Sequence, residues 1–490
     1  MASLLVLAVV AAVGVVGYDR GWFDRWLDSD PAAGADSAAE PWNVAVPSPS
    51  AVAASTSTLD AAKVRAALKG HLKAADLGDH VVGEVSSISG ATLASFGTGS
   101  ATPASTTKLL TAAAALHVLG PEATFATTVV SPAAGQLVLV GGGDPLLALK
   151  PVKSELLPRA DVTTLARTAA AALKASGVTR VRLSYDDSLF TGPTTSPSWP
   201  ANYVPDDVVS PMSALRLDEG QLDDGRDLTP ATTAARKVAA VLRAEGITVA
   251  HRIRKAAVST AGTDTEIARV TSAPLRDIVQ HTLETSDNDA AETMAHLIGA
   301  KAGDGSFAGG VKATTAALTD LGVPLDGVRL YDGSGLSRKD LITPAALTGV
   351  LRAAATDPDL QSLGYGLPVA GFSGSLLERF TDASGTAGLG VVRAKTGTLT
   401  GVSALAGFIA DADGTPMVYV VMADEVPVTK TLAARSALDD AAAALATCHC
   451  STPAPATPST PTTPATPAIP STSTSPSTLT SDQPSATVAP

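Results

Sequence analysis

The sequence predicts an α/β protein of the α+β type, in which an antiparallel sheet is flanked by helices and a second α/β module is inserted. Strand-like runs lie at both ends of the central body, at residues 81–96 and 391–423. An Ala-rich helical stretch follows the last of these runs. Residues 126–262 have their own alternation of strand-like and helical segments. One domain is therefore drawn from both ends of the chain.

The composition narrows the classes of partner. The chain of 490 residues is 45% hydrophobic, and its 35 Lys and Arg against 47 Asp and Glu leave a net charge of −12. Aromatic residues make up 4% of the sequence, and the basic residues form no run. Without a basic surface or aromatic residues to stack on bases, nucleic acid is not an expected partner.

Residues 1–27 predict a signal peptide or a membrane anchor. The apolar run from Leu4 to Gly17 has the length of a signal-peptide core and is shorter than the roughly 20 residues of a spanning helix. Aromatic residues of the kind found at membrane interfaces follow this run, namely Tyr18, Trp22, Phe23 and Trp26. An uncleaved anchor is favoured, with a cleaved signal and a buried N-terminal helix as alternatives. Membrane contact is expected through this segment only.

Residues 28–58 and 448–490 have the composition of disordered segments. The first is rich in Ala, Ser, Pro and Asp without periodicity, which predicts a linker. The second is almost wholly Pro, Thr, Ser and Ala from residue 451 onward. Cys448 and Cys450 are the two cysteines of the sequence, which excludes a disulfide framework and a four-cysteine metal site. A Cys-x-Cys disulfide, a surface metal contact and two unpaired thiols stay open, and no role is assigned.

The elements of the body follow in chain order. The run "VVGEVSSISGATLASF" predicts two strands around a Ser-Gly turn, after which the chain enters a helix at "STTKLL". The runs "VVRAKTGTL", "VSALAGFIA" and "PMVYVVMA" predict three strands, the last two joined by an Asp-Gly loop. A helix follows from about Val428 to Ala446. We assign residues 59–125 and 263–447 to this domain.

The inserted module, residues 126–262, contains "GQLVLVGGGDP", "ADVTTLARTAAAALKASG" and "VTRVRLSYDD". These runs predict a strand, a helix and a second strand. Its "GGGDP" is interpreted as a turn after a strand, because no Gly-Lys-Ser/Thr follows as a phosphate loop requires.

Ser105 and Lys108 are the first candidates for catalysis. They are separated by three positions, so they are neighbours on one face if "STTKLL" is helical. A serine hydroxyl needs a base to become a nucleophile, and a lysine serves only when neutral. Half neutrality at pH 7 requires a shift of about 3.4 units from the usual pKa of about 10.4, or about 4.6 kcal/mol. Burial and a second cation nearby are the ordinary causes.

Two further motifs supply polar groups. Lys395 lies on a predicted strand in "AKTG", and Gly397 permits another backbone to approach that strand. A strand edge of this kind suits pairing with an extended peptide whose carboxylate the lysine receives. Ser286 and Asn288 occupy a polar turn that leads into a helix. Ser286 is a candidate proton relay, and Asn288 can hold a substrate amide through both ends of its side chain.

Together these motifs resemble a known family. S-x-x-K, S-D-N and K-T-G form the signature of penicillin-binding proteins and class A β-lactamases. The chain is more specifically similar to the D-alanyl-D-alanine carboxypeptidases/endopeptidases of peptidase family S13, the class C penicillin-binding proteins, from about Leu59 to Ala446. The matching segments include "PASTTKLLTAAAAL", "GGGDPLL", "SPMSAL", "YDGSGLSRKDLITP", "LPVAGFSGSLLERF" and "KTGTLTGVSALAGF". The resemblance implies a β-lactamase/transpeptidase-like fold for the larger domain.

The resemblance also implies a mechanism. Ser105 attacks the carbonyl between two D-alanines, Lys108 accepts its proton, and water later releases the acyl-enzyme. Ser286 passes the proton to the leaving amine. The backbone N–H groups of Ser105 and Thr398 form the oxyanion hole, which the start of the Ser105 helix supports.

The remaining residues carried over from the family bind substrate. Lys395 and Thr396 receive the terminal carboxylate, and Gly397 and Asn288 complete the substrate-binding set. The implied partners are peptidoglycan stem peptides and, as covalent inhibitors, β-lactams. No cofactor and no metal are expected, and the place of action is extracytoplasmic, in the cell envelope. Terminal trimming and cleavage of cross-links both stay open.

Two alternative functions stay open, and the spacing of the motifs bears on the domain organisation. A β-lactamase shares the three motifs, and a non-catalytic wall-binding scaffold suits the long tail. The spacing from Ser105 to Ser286, 286 − 105 = 181 positions, leaves room for one inserted module, so a second nested module is reduced or absent. His281 and His296 are assigned packing or surface roles. Asp332 in "DGSGLSRKD" is assigned to a glycine-rich turn without a catalytic role.

Overall fold

The computed structural model describes residues 58–152, 157–223, 225–257, 264–382 and 384–452. The predictions for residues 1–57 and 453–490 lie outside this part of the chain. Within the described ranges, none of the helices is both long and apolar enough to cross a bilayer. The helices of the described part are α1 Ala61–Leu68, α2 Thr107–Leu119, α3 Val162–Ala175, α4 Pro230–Ala244, α5 Leu275–Thr285, α6 Asn288–Lys301, α7 Phe307–Asp320, α8 Pro344–Thr356, α9 Gln361–Tyr365 and α10 Thr431–Ala446.

Among the residues that the structure describes, the strands fall into four sheets, two of which have only two short strands each. In chain order the strands are β1 Thr58–Leu59, β2 Val81–Ser87, β3 Thr92–Phe96, β4 Ala126–Ser131, β5 Gln136–Val140, β6 Arg180–Asp186, β7 Gln221–Leu222, β8 Gly225–Arg226, β9 Thr248–Val249, β10 Arg254–Lys255, β11 Thr265–Thr271, β12 Arg393–Leu399, β13 Val402–Ala410, β14 Pro416–Ala423 and β15 Ser451–Thr452.

The larger domain is built on a five-stranded antiparallel sheet with the order β12-β13-β14-β2-β3. The strands of the two ends of the chain meet where β14 pairs with β2. This arrangement confirms the predicted fold class. The helix expected from Val428 begins as a 3-10 turn, Val428–Lys430, before α10.

Side chains that alternate along β14 divide the core of this domain into two layers. Val418 and Val420 belong to a cluster with side chains of α2, α5, α6 and α8. Tyr419 and Val421 belong to a second cluster, with α1 and α10. All four side chains are at most 2% exposed, and burial of each such side chain contributes about 1.5–3 kcal/mol. The sheet is therefore covered by helices on both faces, with the apolar helix α2 held inside.

The inserted module has a six-stranded mixed sheet. Its order is β10-β6-β5-β4-β11, with β9 also paired to β6. Helices α3 and α4 pack on this sheet through a third cluster of apolar side chains. The predicted end of the module at residue 262 is wrong for the sheet, because β11 pairs with β4 as far as Thr271, opposite Ala126. The end of the module is therefore set by the pairing of β11 with β4, which a change of composition along the chain does not reveal.

The predicted boundaries at residues 58 and 447 are also corrected. Thr58 pairs with Thr452 in the ladder between β1 and β15, and the N–H of Asp60 donates to the carbonyl of Cys450 at 2.7 Å. Cys448 and Cys450 form a disulfide, and Cys450 is fully buried. Ordered structure thus continues past the Ala-rich helix to Thr452, because this short segment closes against the start of the domain.

Candidate active site

Ser105 lies in a 3-10 turn, Ala104–Thr106, that leads directly into α2. The turn is tight, with Ala104 at φ 47°, and the hydroxyl of Thr106 donates to the carbonyl of Pro103 at 2.8 Å. Lys108 stands one helical turn later, and its Nζ donates to Ser105 Oγ at 2.9 Å. The predicted contact between the two side chains is therefore present.

Lys108 is completely buried and its Nζ makes three hydrogen bonds. Besides Ser105, it donates to Oδ1 of Asn288 and to the carbonyl of Ser334, both at 2.8 Å. Burial lowers the pKa of Lys108 to about 8, and nearby carboxylates, first that of Asp332, oppose the shift. A lysine with this pKa is neutral in a usable fraction of molecules near neutral pH. The site thus contains a serine hydroxyl beside an amine whose pKa is lowered.

Lys395 is the second buried lysine of the site. Its Nζ donates to Ser286 Oγ at 2.8 Å and to the carbonyl of Thr396 at 3.1 Å. Burial lowers its pKa, and the Lys108 cation lowers it further. The expectation that a second cation would depress the pKa of Lys108 is therefore corrected. Lys395 is the harder of the two amines to protonate, so the positive charge of Lys108 lowers the pKa of Lys395 and not the reverse.

The S-D-N motif forms the junction between α5 and α6. Ser286 ends α5 in the left-handed conformation, at φ 60°, which turns the chain sharply. Asp287 caps α6 by accepting from the N–H of Ala290 at 3.0 Å. Asn288 begins α6, and its Nδ2 donates to the carbonyl of Val208 at 3.1 Å. Both ends of the Asn288 amide are thus engaged, with Lys108 on one side and the inserted module on the other.

Strand β12 approaches the Ser105 turn closely at Gly397. A Cβ at this position would lie 2.4 Å from the carbonyl oxygen of Pro103, so only glycine fits. The hydroxyl of Thr396 lies 2.8 Å from that of Ser375. Thr398 is exposed on the same strand, at the free end of the cleft. The structure therefore brings together the predicted site residues, which are listed as Ser105, Lys108, Ser286, Asn288, Lys395, Thr396, Gly397 and Thr398.

A largely buried loop, residues 331–340, adds further polar groups to the site, including Asp332. Asp332 is 3% exposed and accepts from the N–H groups of Gly335 and Ser337 at 2.8 and 2.6 Å. The indole of Trp199 also donates to it, at 2.7 Å. Burial raises the pKa of Asp340, on the same loop, to about 11. The glycine-rich turn predicted here is present, and its Asp332 is buried against Trp199 of the inserted module.

A groove of about 720 Å³ continues from the exposed end of β12. Thr398 and Thr400 line it on one side, Leu336 and Arg338 on another, and Tyr203 of the inserted module on a third. The groove thus adjoins the predicted site at Thr398.

One group of side chains in the described ranges has the spacing of a metal site. Candidate ligand atoms of Glu219, His281 and Asp287 lie within 4.8 Å of one another. His296 is buried between the rings of Phe190 and Phe307, with centroids 5.0 and 4.5 Å away, in the packing role expected for it.

Comparison with known proteins places this geometry in a family. Residues 64–224 and 226–445 match the D-Ala-D-Ala carboxypeptidase 3 (S13) family. Carboxypeptidase DacB of Mycolicibacterium smegmatis is 35% identical over 361 residues, which cover 71% of this chain and 76% of that protein. The D-alanyl-D-alanine carboxypeptidase of Actinomadura sp. strain R39 is 31% identical over 400 residues, which cover 64% and 71%.

The fold is shared with a solved structure. Penicillin binding protein 4 (dacB) of Haemophilus influenzae has a TM-score of 0.59 and 22% identity, over 76% of this chain and 94% of that one. A second structure of that protein, at a TM-score of 0.55, is a complex with a β-lactam.

The family match spans most of the described chain, and two relatives above 30% identity are carboxypeptidases. This chain therefore belongs to the D-Ala-D-Ala carboxypeptidase 3 (S13) family, and it is a serine-type D-Ala-D-Ala carboxypeptidase.

Proposed function

We propose that this carboxypeptidase works through an acyl-enzyme on Ser105, with Lys108 as the base. The observation that carries the proposal is the 2.9 Å contact between Ser105 Oγ and Nζ of the completely buried Lys108. A base must lie within hydrogen-bond reach of the proton it removes, and its pKa must be near the working pH. Lys108 meets both requirements, since burial lowers its pKa to about 8.

The steps follow from the positions of the side chains. Neutral Lys108 takes the proton of Ser105, and Oγ bonds to the carbonyl carbon between the two D-alanines. The C–N bond then breaks, and the proton that Lys108 took from Ser105 passes through Ser286 to the leaving amine, which leaves Lys108 neutral again; Ser286 is held by a hydrogen bond from Lys395. Neutral Lys108 then takes a proton from a water whose oxygen attacks the ester. The ester C–O bond breaks, Lys108 returns this proton to Ser105 Oγ, and the shortened peptide leaves.

The oxyanion is assigned to two backbone N–H groups, those of Ser105 and Thr398. Donors of this kind stabilise the charge that develops on the carbonyl oxygen. The close approach of β12 to the Ser105 turn at Gly397 supports the assignment, because it fixes one donor relative to the other. The terminal carboxylate is assigned to Lys395 and Thr396, which lie on the same strand.

Asn288 is assigned to the peptide amide before the scissile bond. Its amide now bridges Lys108 and the carbonyl of Val208. Substrate binding would therefore exchange at least one of these hydrogen bonds for a bond to the peptide. An amide side chain can donate and accept in this way at once.

The substrate class that fits best is the peptidoglycan stem peptide, whose D-Ala-D-Ala end supplies both the scissile bond and the carboxylate. The groove beyond Thr398 supports binding of the preceding residues, and its openness supports endopeptidase activity on cross-linked peptides as well. Since that substrate lies outside the cytoplasm, we place the enzyme in the cell envelope. Attachment or export through residues 1–27 is part of the same proposal.

β-Lactams are proposed as covalent inhibitors that acylate Ser105. We would incubate the full chain with a fluorescent penicillin and locate the label by peptide mass spectrometry. Label is expected on Ser105 of the wild type, absent from Ser105→Ala and retained by Ser176→Ala, an exposed serine of the inserted module. A folded wild-type protein without label would contradict the acyl-enzyme and favour a scaffold. Label lost within seconds would instead indicate a β-lactamase.

A further inference from the structure

Glu292 is a buried carboxyl group one step removed from Lys108. It lies on α6, one turn after Asn288, and is completely buried. Its Oε1 accepts from the N–H of Ser334 at 2.8 Å, and its two oxygens lie 3.1 and 3.2 Å from the N–H of Gly333. The carbonyl of the same Ser334 accepts from Lys108. Ser334 thus donates its backbone N–H to Glu292 and accepts a hydrogen bond from Lys108 at its carbonyl.

The loop that carries Ser334 is anchored from the Ser105 helix too. The hydroxyl of Thr111, one turn after Lys108, donates to the carbonyl of Gly333 at 2.7 Å. Gly335 has φ +81°, and a Cβ there would lie 1.9 Å from the carbonyl oxygen of Ala104. The loop is therefore packed tightly against the Ser105 turn. A shift of Ser334 would move the carbonyl oxygen that accepts from Lys108.

We propose that Glu292 is a positioning residue of the acylation step, which holds the Ser334 carbonyl on Lys108 through the N–H groups of Gly333 and Ser334. The inference rests on the proposed role of Lys108 as the base. Glu292 touches neither Ser105 nor the position of the substrate, so it acts through the loop. Burial and the nearby Asp332 carboxylate raise the pKa of Glu292 to about 8, and its hydrogen bonds with Ser334 and Gly333 oppose that shift. These N–H groups bind Glu292 more strongly where it is ionised, because a carboxylate is a stronger acceptor than a neutral acid.

The position of Glu292 also affects the pKa of Lys108. A carbonyl that accepts from an ammonium group favours its charged form, and so does a nearby carboxylate. The charged and titratable groups around Glu292 are Lys108 on α2, Asp332 and Asp340 on the loop, and Asp289 and His296 on its own helix. Loss of Glu292 loosens the Ser334 carbonyl at every pH, and it removes the carboxylate in the molecules where Glu292 is ionised. Both changes should make the Lys108 amine easier to deprotonate, although it is less well placed.

The test is the acylation of the full chain by a fluorescent penicillin as a function of pH. For Glu292→Gln we expect a plateau rate roughly 10- to 100-fold below the wild type, as for a misplaced reacting group. We also expect the acid limb of the profile to move to lower pH by about half a unit or more. A purely structural role would lower the rate without moving the limb. Glu245→Gln, a surface carboxyl 3.5–3.6 Å from Arg167 and Lys174, is the matched control.

Thr111→Val provides a second variant, which loosens the same loop without removing a charge. It should slow acylation less and move the acid limb in the same direction, and it decides the matter if Glu292→Gln does not fold. Wild-type rates in the folded variants, or lower rates with an unmoved limb, would overturn the inference. An unlabelled wild-type Ser105 would overturn the proposed function and this inference with it, whereas a labelled wild type with unaffected variants would overturn the inference alone.

Discussion

At the scale of single residues, the site depends on two lysines that are kept out of water. A buried ammonium group loses its hydration, which favours the neutral amine. Lys108 has carboxylates around it that limit this effect, and Lys395 has the Lys108 cation beside it, which adds to the effect. In the proposed mechanism the two amines have different tasks: Lys108 takes a proton from Ser105, and Lys395 binds the terminal carboxylate of the substrate.

The first prediction concerns pH. The active form of Lys108 is neutral, and its pKa is lowered to about 8, so acylation by a penicillin should rise with pH through about 8. Below this limb the rate should fall about tenfold per pH unit, as for a single proton. Stopped-flow fluorescence of the full chain measures the profile, with circular dichroism to verify that the fold persists at each pH. A rate that is constant from about pH 6 to pH 9 would exclude Lys108 as the titrating base.

The second prediction concerns Lys395. Because its pKa is lowered in the free site, a bound carboxylate should raise it again and draw a proton from solution. Isothermal titration of Ser105→Ala with a peptide ending in D-Ala-D-Ala, in two buffers of different ionisation enthalpy, should show proton uptake. The same peptide with an amidated C-terminus is the control and should show less uptake. Equal uptake for both peptides would mean that the carboxylate does not reach Lys395.

At the scale of elements, the site is a junction of three parts: the start of α2, the turn between α5 and α6, and strand β12. Each part has a local reason for its shape. The turn is sharp because Ser286 is left-handed and Asp287 caps the next helix. The strand can reach the Ser105 turn because Gly397 has no side chain. A site built on helices and strands holds reacting groups more accurately than a site built on loops.

The prediction at this scale is made for Gly397→Ala. The added methyl group meets the carbonyl oxygen of Pro103, which is backbone, so β12 must move away from the nucleophile turn. Acylation should then slow by about 100-fold, since a shift of about 1 Å is enough for such a loss. Gly364→Ala on α9 is the control, because its Cβ would be 3.7 Å from the Phe408 ring, an ordinary contact. Equal acylation rates for both variants would contradict the assignment of β12 to the oxyanion hole.

At the scale of the whole molecule, the inserted module and the chain ends contribute to the domain that carries the site. The module supplies the carbonyl of Val208 to Asn288 and the indole of Trp199 to Asp332. Buried Arg216 of the module pairs with Asp289 on α6 at 3.2 Å. A separate module without such contacts would leave these polar groups unpaired. The insert is therefore part of the structure of the active site.

A prediction for the chain end follows from the ladder between β1 and β15. A chain that ends at residue 447 lacks the buried Cys450 and its hydrogen bond to Asp60, whereas a chain that ends at residue 452 keeps both. The shorter chain should lose roughly 2–4 kcal/mol of unfolding free energy relative to the longer one. Urea denaturation measures the difference. Identical midpoints would mean that the short ladder contributes nothing.

The sequence predicts what depends on local patterns. The strand-like runs at β2 and at β12 to β14 predict the sheet, and the spacing of Ser105 and Lys108 predicts their contact. The contact of Glu292 with Ser334 joins residues 42 positions apart, and it depends on how a loop folds against two helices. The pairing of Thr58 with Thr452 spans 394 positions, and strands of two residues have no periodicity to detect. Such contacts are decided by tertiary structure, so the sequence alone does not indicate them.

The most direct test of the acyl-enzyme mechanism is the release of D-alanine by the full chain. A stem pentapeptide ending in D-Ala-D-Ala would be mixed with the protein, quenched at short times and examined by intact mass spectrometry. One D-alanine should be released per peptide, with a transient adduct of the shortened peptide on Ser105, and both should be absent from Ser105→Ala. Release of D-alanine by folded Ser105→Ala at the wild-type rate would contradict the acyl-enzyme mechanism.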